Sequence, residues 1–201
     1  MNATDARQFP LMRLIVAATV ASLPVATGIR HPEHPSAKDD RPMHQTHNTL
    51  SENIRTQSVA LLNKQLAAAI DLHGQIKQAH WNVRGPNFIA IHKLFDEVAQ
   101  TALEASDLIA ERTAGLGGTA EGTVQVASAK SYLLPYELGV ADEAKHVFAV
   151  SAALAAFGQQ VRESAGLSTA QGDATTADLF TEISRGIDQQ LWFVESHRVP
   201  A

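Results

Sequence analysis

Apolar residues recur every three or four positions in four long stretches of this chain, the spacing of one helix face. Leu62, Leu66, Ala69, His73, Ile76 and His80 form the first stripe, which begins near Ser51. The segment WNVRGPNF interrupts it, because Gly85-Pro86 stops one helix and opens the next. Phe88, Ile91, Phe95, Val98, Ala102, Ala105 and Ile109 form a second stripe, ended by Gly115 and Gly117-Gly118. Val147, Val150, Leu154, Phe157 and Val161 mark a third helix, with Asp142 and Glu143 in its first turn and Gly166 past its end. Phe180, Ile183, Ile187, Leu191 and Val194 mark a fourth, for which Thr175 and Asp178 can serve as a capping box. Residues 116–140 lack sustained periodicity apart from a short helix around Val124–Lys130. No segment shows the alternation of a strand.

Four long helices and one connection long enough to cross a bundle predict an all-α, ferritin-like four-helix bundle with a short extra helix in the crossover. The bundle occupies residues 51–201, and residues 1–50 are a disordered extension. Within that extension Leu14–Ala26 is uncharged and apolar, too short for the ~20 residues of a spanning helix. Its length and flanks fit the core of a signal peptide, or a start assigned too far upstream, with Met43 the true first residue. Residues 30–50 are rich in Pro and His and polar. The expected location is the cytoplasm, with export only if residues 1–27 are a genuine signal peptide, and no membrane partner is expected.

Composition narrows the chemistry. The chain has no cysteine, so a metal would be held by His, Asp and Glu, a set suited to iron, manganese or zinc. The net charge is −5, and residues 43–201 carry 11 basic against 17 acidic side chains. An acidic body attracts cations and repels phosphate backbones, so DNA binding is expected to be weak or absent.

The second helix carries the sharpest signal. At ~100° per residue from Phe88, His92, Asp96, Asp107 and Glu111 fall at about 40°, 80°, 100° and 140°, a single stripe. The core of the same helix centres about 140° away, so this stripe faces outward. Ala99, Leu103 and Ala110 fall among the polar positions and make the face partly apolar, suited to a partner. His92/Asp96 and Asp107/Glu111 each have the i,i+4 spacing that lets two side chains converge on one ion. The pairs lie ~16–23 Å apart along the axis, too far for one metal to touch both. A second copy packed antiparallel across a two-fold axis would bring one chain's first pair against the other's second, twice per dimer. The spacing alone leaves this arrangement and an ordinary solvated face both open.

The residues AHWNVRGPNFIAIHKLFDEV, DLIAERTAGLGGTAEGT and LWFVESH resemble the signature of Dps proteins, the DNA-binding proteins from starved cells, over about Ser51 to His197. The resemblance implies a miniferritin: a hollow dodecamer that oxidises Fe(II), with hydrogen peroxide as oxidant, at inter-subunit sites of two iron ions, and stores ferric mineral. It implies His80, His92 and Asp96 as ligands from one subunit and Asp107 and Glu111 from the other, and so adds His80. Carboxylates favour Fe(III) and imidazoles hold Fe(II), the balance a ferroxidase needs. Trp81 resembles the family's aromatic neighbour of the site, a role that competes with plain interface packing. Asp173 and Asp178 resemble acidic residues lining iron-entry pores, a role that competes with helix capping. Alternatives from other classes are a non-enzymatic nucleoid-compacting protein, a zinc or manganese store, and a monomeric helical scaffold. Glu143-Ala144-Lys145-His146 has the Glu-x-x-His form of intra-bundle di-iron sites, but a second copy is missing. Capping and a surface histidine account for it, and a buried, hydrogen-bonded histidine accounts for His73.

Overall fold

The computed structural model describes residues 43–198. The apolar segment 14–26 and residues 30–42 of the His-rich stretch lie outside that range. Five helices follow in order: α1 (Glu52–Asn82), α2 (Phe88–Gly115), α3 (Val124–Lys130), α4 (Glu143–Gln171) and α5 (Ala174–Glu195). The helix α1 packs on α2, α4 on α5, α1 on α4 and α2 on α5, with the short α3 against α1. The fold is all-α and ferritin-like, as the periodicity predicts, and no strand forms among the described residues. Among those residues no helix is long and apolar enough to cross a membrane.

The core follows the four stripes. Phe95, Phe157 and Phe180 are fully buried, together with Leu62, Leu66, Leu72, Ile76, Ile91, Ile109, Leu154 and Ile187. Each such side chain stabilises the fold by roughly 1.5–3 kcal/mol relative to an exposed one. Local chemistry sets the helix starts: Ser51 accepts the Ile54 N–H, Thr123 that of Val126 and Asp142 that of Lys145.

Three boundaries differ from expectation. The fourth long helix is capped not by a Thr175/Asp178 box but by Asp173, which accepts the Thr176 N–H. The residue whose side chain reaches the first free N–H groups wins, and that is the one before Ala174. The helix α4 runs through Gly166 to Gln171, because buried Ser164 and Ser168 hold the turns on either side of Gly166 against the bundle. Gly172 has φ +88°, the left-handed geometry that ends a helix. Residues 43–50, expected in the disordered extension, dock instead. The His44 N–H donates to the Gly117 carbonyl at 2.7 Å, and Arg55 donates to the carbonyls of Leu116 and Leu50. Met43 and Leu50 pack on the core beneath. The free carbonyls at the end of α2 attract these donors, a tertiary effect that leaves no periodic trace in the sequence.

Candidate metal centre

The α1–α2 turn sets up the site. It brings His80, in the last turn of α1, beside His92 in α2, and the two rings stack with centroids 3.8 Å apart and planes 20° off parallel. His80 Nδ1 lies 2.8 Å from the His92 carbonyl and His92 Nδ1 lies 2.9 Å from the His80 carbonyl. A carbonyl only accepts, so both Nδ1 atoms carry hydrogen, and in the neutral rings it is Nε2 that holds the lone pair. Backbone carbonyls that orient a histidine in this way are the usual outer support of a metal ligand. This reciprocal lock is a feature that spacing does not reveal.

Asp96 lies one turn beyond His92, is exposed, and accepts from Lys77 at 2.7 Å. The Lys77 hydrogen bond and charge hold its carboxyl below the ordinary aspartate range. Asp107 and Glu111 lie further along the same helix and are exposed, with no hydrogen bond or ion pair among the described residues. Arg112, the cation next to Glu111 in sequence, is turned to Asp173 at 2.9 Å. The structure therefore brings His80, His92 and Asp96 into one neighbourhood, while Asp107 and Glu111 stand apart on the same helix. Among the described residues, no group of three or more His, Cys, Asp or Glu is placed to hold a metal ion.

The partly apolar character of the outer face of α2 has different carriers from those expected. Ala99 is buried in the subunit's own core, and Ala110 is half-buried against it and contributes only in part. Leu103, 46% exposed, remains, and Ile89, 60% exposed and on the same side by helical phase, joins it. Trp81 is 67% exposed, with Lys77 over its ring at 5.9 Å.

The other candidates resolve into structural parts. Asp173 is 1% exposed, and its oxygens accept from Ser58, Arg112 and both the hydroxyl and N–H of Thr176. That is the capping role, with both oxygens occupied inside the subunit; Asp178 is exposed. His146 is not a surface residue but 1% exposed. Its Nε2–H donates to the Val140 carbonyl and its Nδ1 accepts the Tyr136 hydroxyl at 2.6 Å, so neither nitrogen can bind a metal. Burial pushes its pKa down, outweighing the Val140 hydrogen bond and the Asp142 charge. Burial also pushes the Tyr136 hydroxyl up to about 12. His73 is half-buried and makes no side-chain hydrogen bond among the described residues. Burial and the Lys77 charge lower its pKa.

The helical bundle with metal-binding residue types on α1 and α2 defines a protein of the ferritin-like class, and a family model described as a ferritin-like domain matches residues 59–199. The "DNA protection during starvation protein" of Agrobacterium fabrum is 40% identical over 154 residues, covering 77% of this chain and 95% of its own. DpsC from Streptomyces coelicolor superposes with a TM-score of 0.75 at 31% identity, over 79% of this chain and 93% of that one. Mycobacterium smegmatis Dps does so at 0.75 and 28% identity, over 80% and 96%. The chain belongs to the Dps family.

Proposed function

We propose that this protein is a ferroxidase and iron store whose oxidation sites are shared between subunits. His80, His92 and Asp96 of one subunit take up Fe(II) together with Asp107 and Glu111 of a second, two iron ions per site and two sites per dimer. The carrying observation is the reciprocal histidine lock, which leaves two Nε2 lone pairs ready beside an exposed carboxylate. The two further carboxylates of α2 lie beyond reach in the same chain and have no hydrogen bond or ion pair among the described residues, as expected of groups that complete a neighbour's site.

Hydrogen peroxide is the proposed oxidant. Each of two Fe(II) ions gives up one electron, the O–O bond takes both and breaks, and two hydroxide ions leave. Pairing the electrons in this way releases no hydroxyl radical. The carboxylates favour the ferric product, and the imidazoles hold the ferrous substrate. Asp96 must exchange its Lys77 partner for metal as the site fills. Assembly into a hollow dodecamer gives the ferric mineral an enclosed space. Protection of DNA, carried by the name of the Agrobacterium relative, then follows from removal of iron and peroxide rather than from tight binding. The acidic balance of residues 43–201 supports that reading.

Stopped-flow absorbance of the ferric product after mixing with Fe(II) and peroxide tests the proposal. Asp107→Asn with Glu111→Gln should slow oxidation by roughly 100-fold or more if these supply half the ligands, since a lost ligand costs more than the 10–100-fold of its outer supports. Mixing this variant with a His80→Ala, His92→Ala variant should restore part of the rate, because mixed dimers contain one intact site. Full activity in the first variant, or no recovery on subunit exchange, would sink the shared site.

A further inference from the structure

The Glu-x-x-His segment at the start of α4 is not placed to bind metal, yet its glutamate is tied into the turn that carries the histidine pair. Glu143 is half-buried and reaches across to the α1–α2 turn. Its Oε2 accepts the Asn87 N–H at 3.0 Å and its Oε1 accepts the Asn87 side-chain amide at 2.9 Å. Asn87 occupies the N-cap position of α2 but makes no cap bond with its own side chain. The helix also has no acidic residue in its first turn. One carboxylate from another helix therefore supplies both things the start of α2 lacks: an acceptor for a free N–H and a negative charge at the positive end of the dipole.

The surrounding contacts make this a brace. Asp142, not Glu143, caps α4, which frees Glu143 to face outward from its own helix. The Arg84 N–H donates to the Ala141 carbonyl at 2.8 Å, a second tie between the same turn and the residues leading into α4. On the α4 side the anchor is fixed by His146, held between Tyr136 and Val140. Gly85 completes the fit, because a Cβ at that position would collide with the Glu143 side chain. His92 lies five residues after Asn87. Its lock to His80 depends on two hydrogen bonds of 2.8 and 2.9 Å between α1 and α2, so a small slide of α2 lengthens both at once.

We propose that Glu143 is a positioning residue for the metal centre: it caps α2 from α4 and so keeps His80 and His92 in the tautomer that presents Nε2 outward. This rests on the proposed role of the two histidines as ligands, but its first test needs no metal. In 15N-histidine-labelled, metal-free assemblies, the wild-type rings of His80 and His92 should show Nδ1–H alone. Glu143→Ala should shift both toward a mixture of tautomers and speed amide exchange over Phe88–His92. Glu143→Gln keeps an acceptor and should fall between. Gly85→Ala, which displaces the carboxylate without removing it, should act in the direction of Glu143→Ala. Asp173→Asn, at the other end of α2, is the control for general loss of stability and should leave both rings unchanged. Affinity for Zn(II), a probe without redox chemistry, should fall about 10-fold in Glu143→Ala, the lower end expected for an outer support. Wild-type ring spectra in both Glu143→Ala and Gly85→Ala would overturn the proposal, as would an equal disturbance in Asp173→Asn. If Asp107→Asn with Glu111→Gln leaves Zn(II) binding intact, the shared site fails instead, and the ring spectra still decide the brace.

Discussion

Asp173 shows how much one side chain can be asked to do. It caps α5, pairs with Arg112 of α2 and accepts from Ser58 of α1, so three helices meet at one carboxylate. Burial works against its charge, but the hydrogen bonds from Thr176 and Ser58 and the Arg112 cation more than offset this, and its carboxyl sits below the ordinary range. Asp173→Ala leaves Arg112 and three buried donors, the Ser58 hydroxyl and the hydroxyl and N–H of Thr176, without their partner and should cost about 3 kcal/mol in chemical denaturation. The depressed pKa means that this stabilisation is present above the unfolded value of ~4 and is lost as pH falls through the lower folded one. His146 adds a loss at milder acidity: its neutral form is favoured in the fold, so its contribution is full above pH ~6.5 and declines below. Urea midpoints across pH should therefore fall in two steps, and Asp173→Ala should flatten only the more acidic one. A pH-independent midpoint between 7 and 3 would contradict both assignments.

At the scale of elements, the helices were legible and some of their ends were not. Stripes at 3.6-residue spacing survive because each helix buries one face, whatever lies on the other. Ends depend on which polar group reaches the free N–H and C=O groups, and that is settled by neighbours. Glu143 caps α2 from 56 positions away, and residues 43–50 satisfy the other end of the same helix. Gly166 misled for a related reason, since packing on both sides carried α4 across a residue of low helix propensity. It is exposed, with nothing within 4 Å of an added Cβ. Gly166→Ala should thus stabilise the protein by up to about 1 kcal/mol, seen as a higher urea midpoint with an unchanged slope. Gly172→Ala should do the reverse, because φ +88° suits glycine alone.

For the molecule as a whole, the arrangement of faces bears on assembly. The helix α2 packs on α1 and α5, which places α4 diagonally across the bundle. The outer side of α4, with the crossover loop, forms a second apolar surface: a groove lined by Leu133, Pro135 and Ala153, with Leu134, Leu138 and Phe148 exposed. A single two-fold contact through α2 closes at a dimer and leaves that surface in water. The proposed shell needs a further contact, and this is where we expect it. Phe148→Glu should stop assembly at dimers that still oxidise iron, whereas Leu103→Glu on the α2 face should give inactive monomers. Light scattering after size exclusion distinguishes these sizes, and a full-sized Phe148→Glu assembly would place the further contact elsewhere.

The sequence by itself determined the all-helical class, the number and phase of the helices, and the outward stripe of His92, Asp96, Asp107 and Glu111. These follow from the fixed turn of a helix and from which residues avoid water, both local properties of the chain. Tertiary structure decided which ring nitrogen of His80 and of His92 is tied to a backbone carbonyl, what Glu143 and His146 are bonded to, and why Asp173 is a strut inside the subunit. Each of those depends on hydrogen bonds between residues far apart in the chain, and a bond of that kind exists only once the helices have packed.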